Sequence, residues 1–304
     1  FSVHLDTTTI KLFGAYETAE EPIPRYGFSK DHRPDLKQLV FGLSLHGAVG
    51  LPLTMSVSSG NTSDQASNRD HLSRLATLLP DPDDVTIVAD CKLVDATTLG
   101  QLCGSGFHFV SLVPETFNLR GDLIDEAWTL HDNAAEWPVL AERPGKKKAD
   151  PPEQYRGLSL PAKIDLRLSE DPDAEASHET LRGLVVRSDR LAAKFEASLE
   201  GRLERERKAF EKARKRVLAE DFACEADALT AVTPLLKRLK WWSAEVTATA
   251  EERVEKRKKR GRPKKDAPPP PTRTVWVPHV RFERKEEAIA SARRRASCFV
   301  LLTD

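Results

Sequence analysis

The hydrophobic and polar positions of the first 115 residues follow strand and helix periods in turn. Residues 1–16 read as a strand in which Val3 and Leu5 are apolar and a run of threonines favours extended backbone. Two further apolar stretches, 37–45 and 51–57, are joined by a short connection with glycine at both ends, which favours a hairpin. This part of the chain therefore predicts three consecutive strands.

A helix and two more strands follow in the pattern. Ser63 or Asp64 is a helix N-cap, and apolar residues then recur at helical spacing as far as a proline pair. Residues 85–89 form a continuous apolar run, which is typical of a strand buried on both faces. A short helix at 96–103 and a strand at 107–113 complete an order that is typical of a ribonuclease H-like mixed sheet flanked by helices.

The second half of the chain has a different pattern. Between Arg202 and Thr233 there is no glycine or proline, and strong helix formers dominate from 191 to 250, which predicts two or three long helices. Strand character returns at 274–277, and a helix at 285–295 leads to a last strand. We therefore divide the chain into four segments: 1–115, the first part of the core; 116–185, a linker and the start of an insertion; 186–272, a long and mainly α-helical basic insertion; and 273–304, a return to the core.

Composition and charge narrow the class of protein. The chain has no apolar run of membrane-spanning length and no leader-like start, so we expect a cytoplasmic protein without a membrane partner. Its four cysteines are scattered without metal-binding spacing, which predicts reduced thiols. The formal net charge is zero, yet residues 187–265 hold 23 basic and 14 acidic residues, a net charge of +9. Such asymmetry favours a nucleic-acid contact surface beside an acidic core.

Two acidic residues stand where this fold would bring them together. Asp6 lies in the first strand, and Asp90 ends the strand at 85–89. A single aspartate usually serves as a turn, cap or ion-pair residue, but the predicted topology places these two on neighbouring strands. Paired carboxylates that hold divalent metal are a recurring solution for phosphoryl transfer, and Mg²⁺ prefers carboxylates with substrate oxygens.

Four blocks in the first part of the chain carry a family resemblance. Residues 5–8, 27–38, 60–64 and 88–90 resemble, in order and spacing, the conserved blocks of bacterial insertion-sequence transposases of the DDE type. The last strand, 299–304, is similar to the family's strand just before the segment with its third acid, a glutamate. The resemblance implies a catalytic site that binds Mg²⁺ or Mn²⁺ through Asp6 and Asp90, with the third ligand expected beyond Asp304. The nearest internal substitutes are Glu283, Glu286 and Glu287.

Two basic segments are candidate DNA contacts. In the block at 27–38, Lys30, Arg33 and Lys37 can contact phosphates, although the segment can equally be a solvated charged loop. A later run resembles an AT-hook, whose extended Arg-Gly-Arg-Pro core lies in a narrow minor groove. Its residues are Arg260, Gly261, Arg262, Lys264 and Lys265, and the alternative is again a solvated charged face.

Two features of the helical segment leave alternatives open. Trp241 and Trp242 can stack on bases, but two aromatics at the end of an apolar helical stretch are more typical of a core. The apolar residues of 191–217 can form a coiled-coil face between two copies of the chain, or a face that packs within it.

These observations predict a DNA transposase that cuts a strand at an element's end and joins it to target DNA. Its expected partner is double-stranded DNA, bound by a homodimer in the nucleoid of a bacterial cytoplasm. One alternative is a truncated or non-catalytic transposase-derived DNA-binding protein. Another is a different ribonuclease H-like nuclease, which would not need the helical insertion.

Overall fold

The computed structural model describes residues 1–17, 20–29, 32–79, 81–145, 152–167, 176–217, 220–254 and 271–304. The strands are β1 (Ser2–Leu12), β2 (Lys37–His46), β3 (Pro52–Ser59), β4 (Thr86–Ala89), β5 (His108–Leu112), β6 (Val139–Arg143), β7 (Glu153–Leu166), β8 (Ser177–Ser188), β9 (Trp242–Val254), β10 (Thr272–Arg284) and β11 (Cys298–Thr303). The α-helices are α1 (Asp64–Leu78), α2 (Ala96–Ser105), α3 (Asn118–Leu130), α4 (Asp189–Val217), α5 (Glu225–Leu236) and α6 (Glu286–Ser297).

The chain divides into two compact units. Unit 1 comprises Phe1–Leu191 and Arg294–Asp304, and unit 2 comprises Ala192–Arg293.

Unit 1 is built on a nine-stranded mixed sheet. Its strand order is β3-β2-β1-β4-β5-β11-β8-β7-β6. The pairs β1·β4 and β4·β5 are parallel, and the remaining pairs are antiparallel. Helices α1, α2 and α3 pack against the sheet. The predicted mixed α/β sheet with flanking helices is therefore confirmed.

The pattern of apolar and polar residues explains β1, β2, β4 and the start of α1. In β2 the buried positions alternate, as expected of a strand with one covered face. Strand β4 contributes Ile87, which is fully buried in the same core as Val3 and Leu5 of β1. Helix α1 begins after Ser63, whose hydroxyl accepts a hydrogen bond from the backbone N–H of Ala66 at 3.1 Å. Of the two predicted N-caps, Ser63 is the one used.

The segment 116–185, where the sequence predicts a linker and the start of an insertion, contains α3, β6, β7 and most of β8, and these three strands belong to the large sheet. Strand β8 pairs with β7 on one side and with β11 on the other. These strands read weakly in sequence because polar and charged residues occupy their exposed positions. Their order in the sheet also depends on β11, more than 100 residues further along the chain.

Unit 2 contains most of α4, helix α5, an antiparallel hairpin of β9 and β10, and the first part of α6. The prediction that helices continue to residue 250 is wrong beyond α5, because 242–254 is strand β9. Strand β10, expected in the returning core, pairs with β9 instead. Alternate residues of both strands pack around Phe210, Val232 and Leu239, so strand periodicity fits this core where helical periodicity does not.

Candidate functional site

The parallel pairing of β1 and β4 places the two candidate acids side by side. Leu5 is opposite Ala89 in the register; Asp6 is the next residue of β1, and Asp90 directly follows β4 with extended backbone. Neighbouring strands lie about 4.8 Å apart, and residues in register point to the same face. Both aspartates are exposed. The structure thus brings together the two acids that the sequence singled out.

Each carboxylate is oriented by a backbone amide of its own loop or strand. Oδ1 of Asp6 accepts a hydrogen bond from the N–H of Thr7 at 2.7 Å. Oδ1 of Asp90 accepts one from the N–H of Lys92 at 2.9 Å, which caps a single 3₁₀ turn. The carbonyl of Asp90 also accepts a hydrogen bond from the Ser111 hydroxyl on β5, at 2.7 Å. Within the described part of the chain, no hydrogen bond reaches Oδ2 of either aspartate.

The two aspartate carboxylates are the type of ligand that a hard divalent cation prefers. Two exposed carboxylates on adjacent strands supply the oxygen ligands that Mg²⁺ and Mn²⁺ accept. Among the residues that the structure describes, no group of three or more His, Cys, Asp or Glu side chains is arranged to hold a metal ion. Glu283, Glu286 and Glu287, the internal substitutes for a third acid, lie in unit 2.

In the second block, 27–38, both Arg33 and Lys37 donate hydrogen bonds to other groups of the chain, and Lys37 is partly buried. Arg33 donates from Nε and Nη2 to both carboxylate oxygens of Asp35, at 2.8 and 2.7 Å. This hydrogen bonding lowers the pKa of Asp35 and raises that of Arg33. Lys37 donates from Nζ to the carbonyl of Ala15. A phosphate would have to displace these partners, which is feasible because the Arg33 pair is exposed and such pairs are weak. Lys30 lies outside the described residues.

The AT-hook-like residues Arg260, Gly261, Arg262, Lys264 and Lys265 also lie outside the described residues. The strands on either side of these residues form a hairpin, in which Val254 of β9 pairs with Thr272 of β10. The basic segment 255–270 therefore connects the two strands of the hairpin. Asp221 forms ion pairs with Arg253 and Arg273 at this end of the ribbon.

A small cavity, to which Lys92 contributes, was not anticipated from the sequence. Its volume is about 170 Å³, and its lining includes Lys92, Asp64 at the start of α1, and Phe28. Thr9 also lines it and is three positions from Asp6 on β1, so the cavity opens on the other face of that strand. The sequence feature that could have indicated this cavity is Lys92, a cation two residues after a candidate catalytic acid.

Trp241 and Trp242 form part of the core of unit 2, as the second interpretation of this pair predicted. Trp241 is 7% exposed, and the Trp242 ring packs against Phe282 at 6.0 Å between centroids. The indole N–H of Trp242 donates to the carbonyl of Leu203 at 3.1 Å. These rings are therefore not stacking platforms for bases.

The apolar face of α4 is also covered within the chain. Its members Phe195, Leu199, Leu203 and Phe210 are all buried. They are thus not available as a coiled-coil face between two copies. The homodimer remains a prediction, and its interface would have to lie elsewhere.

Comparisons with known proteins assign no family. No protein-family model matches the chain, and no curated protein matches it. Among the described residues, none of the helices has an apolar stretch of the length that a membrane span requires.

Proposed function

We propose that this chain is a ribonuclease H-like DNA transposase region that carries out metal-dependent DNA strand cleavage and strand transfer. The observation that carries the proposal is the adjacency of Asp6 and Asp90 on the parallel strands β1 and β4. The order β3-β2-β1-β4-β5, with β2 antiparallel to both of its neighbours β1 and β3, supports the ribonuclease H-like assignment. The four sequence blocks that resemble DDE transposases support the reaction class.

Asp6 and Asp90 would hold the Mg²⁺ or Mn²⁺ ion in this proposal. When bound, a divalent cation supplies charge neutralisation on the phosphate oxygens and favours an ionised attacking oxygen. The protein itself would position the two carboxylates. The amides of Thr7 and Lys92 hold one oxygen of each carboxylate, and the Ser111 hydroxyl fixes the backbone at Asp90.

Basic side chains would orient the DNA strand. Lys92 is exposed two residues after Asp90, and Arg33 and Lys37 lie in the second block. Lysine and arginine position nucleic acids through phosphate contacts that carry no sequence information. In strand cleavage, water would attack the phosphorus, and the leaving oxygen would depart as a 3′-hydroxyl. In strand transfer, that hydroxyl would attack a target phosphodiester at the same site, and the target strand's own 3′ oxygen would leave as a hydroxyl.

Substitution of one acid tests the proposal. Asp90→Asn keeps a side-chain oxygen for the Lys92 amide but removes the charge. Loss of a residue that only supports a metal ligand costs roughly 10–100-fold in activity. Because Asp90 would be a ligand itself, we expect a larger loss of Mg²⁺- or Mn²⁺-dependent nicking of supercoiled DNA in this variant. Asp83→Asn, an exposed acid before β4, is the matched control and should nick at the wild-type rate. Undiminished nicking by Asp90→Asn would contradict the assignment.

A second candidate function is DNA binding without cleavage. It is favoured by the basic surface of α4, which does not involve the two acids. Binding of duplex DNA with no metal-dependent nicking, in wild type and in Asp90→Asn alike, would support this alternative.

A further inference from the structure

The outer face of α4 carries five basic side chains in one stripe. They are all exposed, and they are Arg205, Lys208, Lys212, Lys215 and Arg216. Their successive spacings of three, four, three and one residues put them within about 100° of the helix circumference, since successive residues are ~100° apart. Leu203 and Phe210 lie on the opposite, buried face. We call these five residues the basic stripe.

Few of these charges are neutralised within the chain. Lys208 pairs with Glu204 at 3.5 Å, and Arg205 donates from Nε to the carbonyl of Gly201 at 3.0 Å. Within the described residues, no carboxylate lies within 4.0 Å of the charged groups of Lys212, Lys215 or Arg216. Like charges one helical turn apart repel each other and destabilise an isolated helix.

The helix dipole accounts for only part of the stripe. Cations in the last turn interact favourably with the partial negative charge at a helix C-terminus, which explains Lys215 and Arg216. The effect falls off within that turn, so it does not explain Arg205 and Lys208. A partner with negative charges repeated along a line accounts for all five.

We propose that the basic stripe binds the phosphate backbone of duplex DNA. From Arg205 to Arg216 the stripe extends about 16 Å at ~1.5 Å per residue. One DNA strand carries a phosphate every ~3.4 Å of helix axis, so about five phosphates fall within that length. The stripe is therefore long enough to meet several phosphates of one strand.

The chemistry of α4 favours nucleic acid over an anionic membrane surface. A helix that lies on a bilayer inserts an exposed apolar face between lipid headgroups. The apolar residues Phe195, Leu199, Leu203 and Phe210 are instead buried inside the protein. The outer face near the stripe carries charged residues and the small residues Gly201 and Ala209, but no large apolar side chain.

This inference rests on the proposed DNA-acting function but concerns binding rather than cleavage. Binding of a fluorescent 30-base-pair duplex is therefore measured in EDTA at several salt concentrations, so that failure to cut DNA leaves the result interpretable. In the triple variant Lys212→Gln, Lys215→Gln and Arg216→Gln, we expect the slope of log affinity against log salt to fall by about three, because each phosphate contact contributes ~0.9. Lys212→Gln alone should lower the slope by about one.

The matched control removes three exposed cations elsewhere, from β6, β7 and β8: Arg143→Gln, Lys163→Gln and Arg182→Gln. It should retain the wild-type slope. Equal slopes for wild type and the stripe variants would overturn the proposal, as would an equal loss in the control. Binding of phosphatidylserine vesicles in place of DNA would also overturn it. A stripe that only stabilises α4 would lower the thermal midpoint and leave the slope unchanged.

Discussion

At the scale of single residues, a buried histidine joins a helix to the large sheet. His71 of α1 is fully buried against the sheet, where hydrogen bonds join its Nδ1 to Thr54 Oγ1 at 3.0 Å and its Nε2 to Ser56 Oγ at 2.7 Å. Gly42 of β2 faces the ring, and a Cβ there would come within 2.1 Å of Nε2. The histidine thus bridges α1 and β3 as a polar member of the core.

His71 should make stability depend on pH. Burial lowers its pKa in the folded protein, whereas the unfolded chain retains a value near ~6.5. Below that pH the unfolded state binds more protons, so the free energy of unfolding should fall as pH drops from about 7 towards 5. His71→Gln should lose this contribution to the pH slope and cost about 1–3 kcal/mol near pH 7. Urea unfolding of both proteins across this range measures it, and an identical pH slope in the two would refute the assignment.

Gly42 allows a second test of the same contact. Gly42→Ala should destabilise the protein by about 1–3 kcal/mol, because the new methyl group overlaps the ring of His71. Gly201→Ala is a matched control in α4, where a Cβ would meet nothing within 4 Å. That change should be neutral or stabilise by up to ~1 kcal/mol, since alanine favours a helix. Thermal unfolding that shows equal effects for the two would exclude a steric origin.

At the scale of elements, capping side chains determine where the helices beside the site begin. Asp95 precedes α2, and its Oδ1 accepts hydrogen bonds from the backbone N–H groups of Thr97 and Thr98 at 3.2 and 3.0 Å. Its Oδ2 accepts a third from the Thr98 hydroxyl at 2.6 Å. Because α2 follows the turn that starts at Asp90, the cap also defines the end of the loop that carries the candidate acid.

Loss of this cap should be measurable against a similar aspartate without one. We expect Asp95→Ala to lower the free energy of unfolding by about 0.5–2 kcal/mol. Asp81 precedes a short 3₁₀ turn but makes no capping hydrogen bond, so Asp81→Ala should change stability by less than ~0.5 kcal/mol. Chemical denaturation of both variants provides the comparison. If Asp81→Ala costs as much as Asp95→Ala, local charge rather than capping is responsible.

At the scale of the whole molecule, each unit buries apolar side chains of its own. Leu99 is fully buried in the core of unit 1, and Leu203 is 1% exposed in unit 2. Each Leu→Ala substitution should cost about 2–5 kcal/mol through lost burial and the cavity left behind. Hydrogen exchange followed by mass spectrometry should show faster exchange mainly in 1–191 for Leu99→Ala and in 192–293 for Leu203→Ala. Faster exchange throughout both ranges in each variant would mean that the units unfold as one.

Local pattern was sufficient for the elements that carry the candidate acids. Alternating apolar positions predicted β2 and β3, and the apolar run before Asp90 predicted β4, because these periods follow from backbone geometry alone. The order of strands and helices then placed Asp6 and Asp90 on neighbouring strands. Their catalytic role and the expected third acid remain predictions.

The sequence by itself determined which segments of 1–115 form strands and helices, and it identified the two acids at their ends. Only the tertiary structure decided that β6, β7 and β8 extend the sheet and that 242–254 pairs with 272–284 as a hairpin. It also decided that Trp242 and the apolar face of α4 pack inside unit 2. The physical reason is that backbone period is a local property, whereas strand pairing and side-chain burial depend on partners far along the chain.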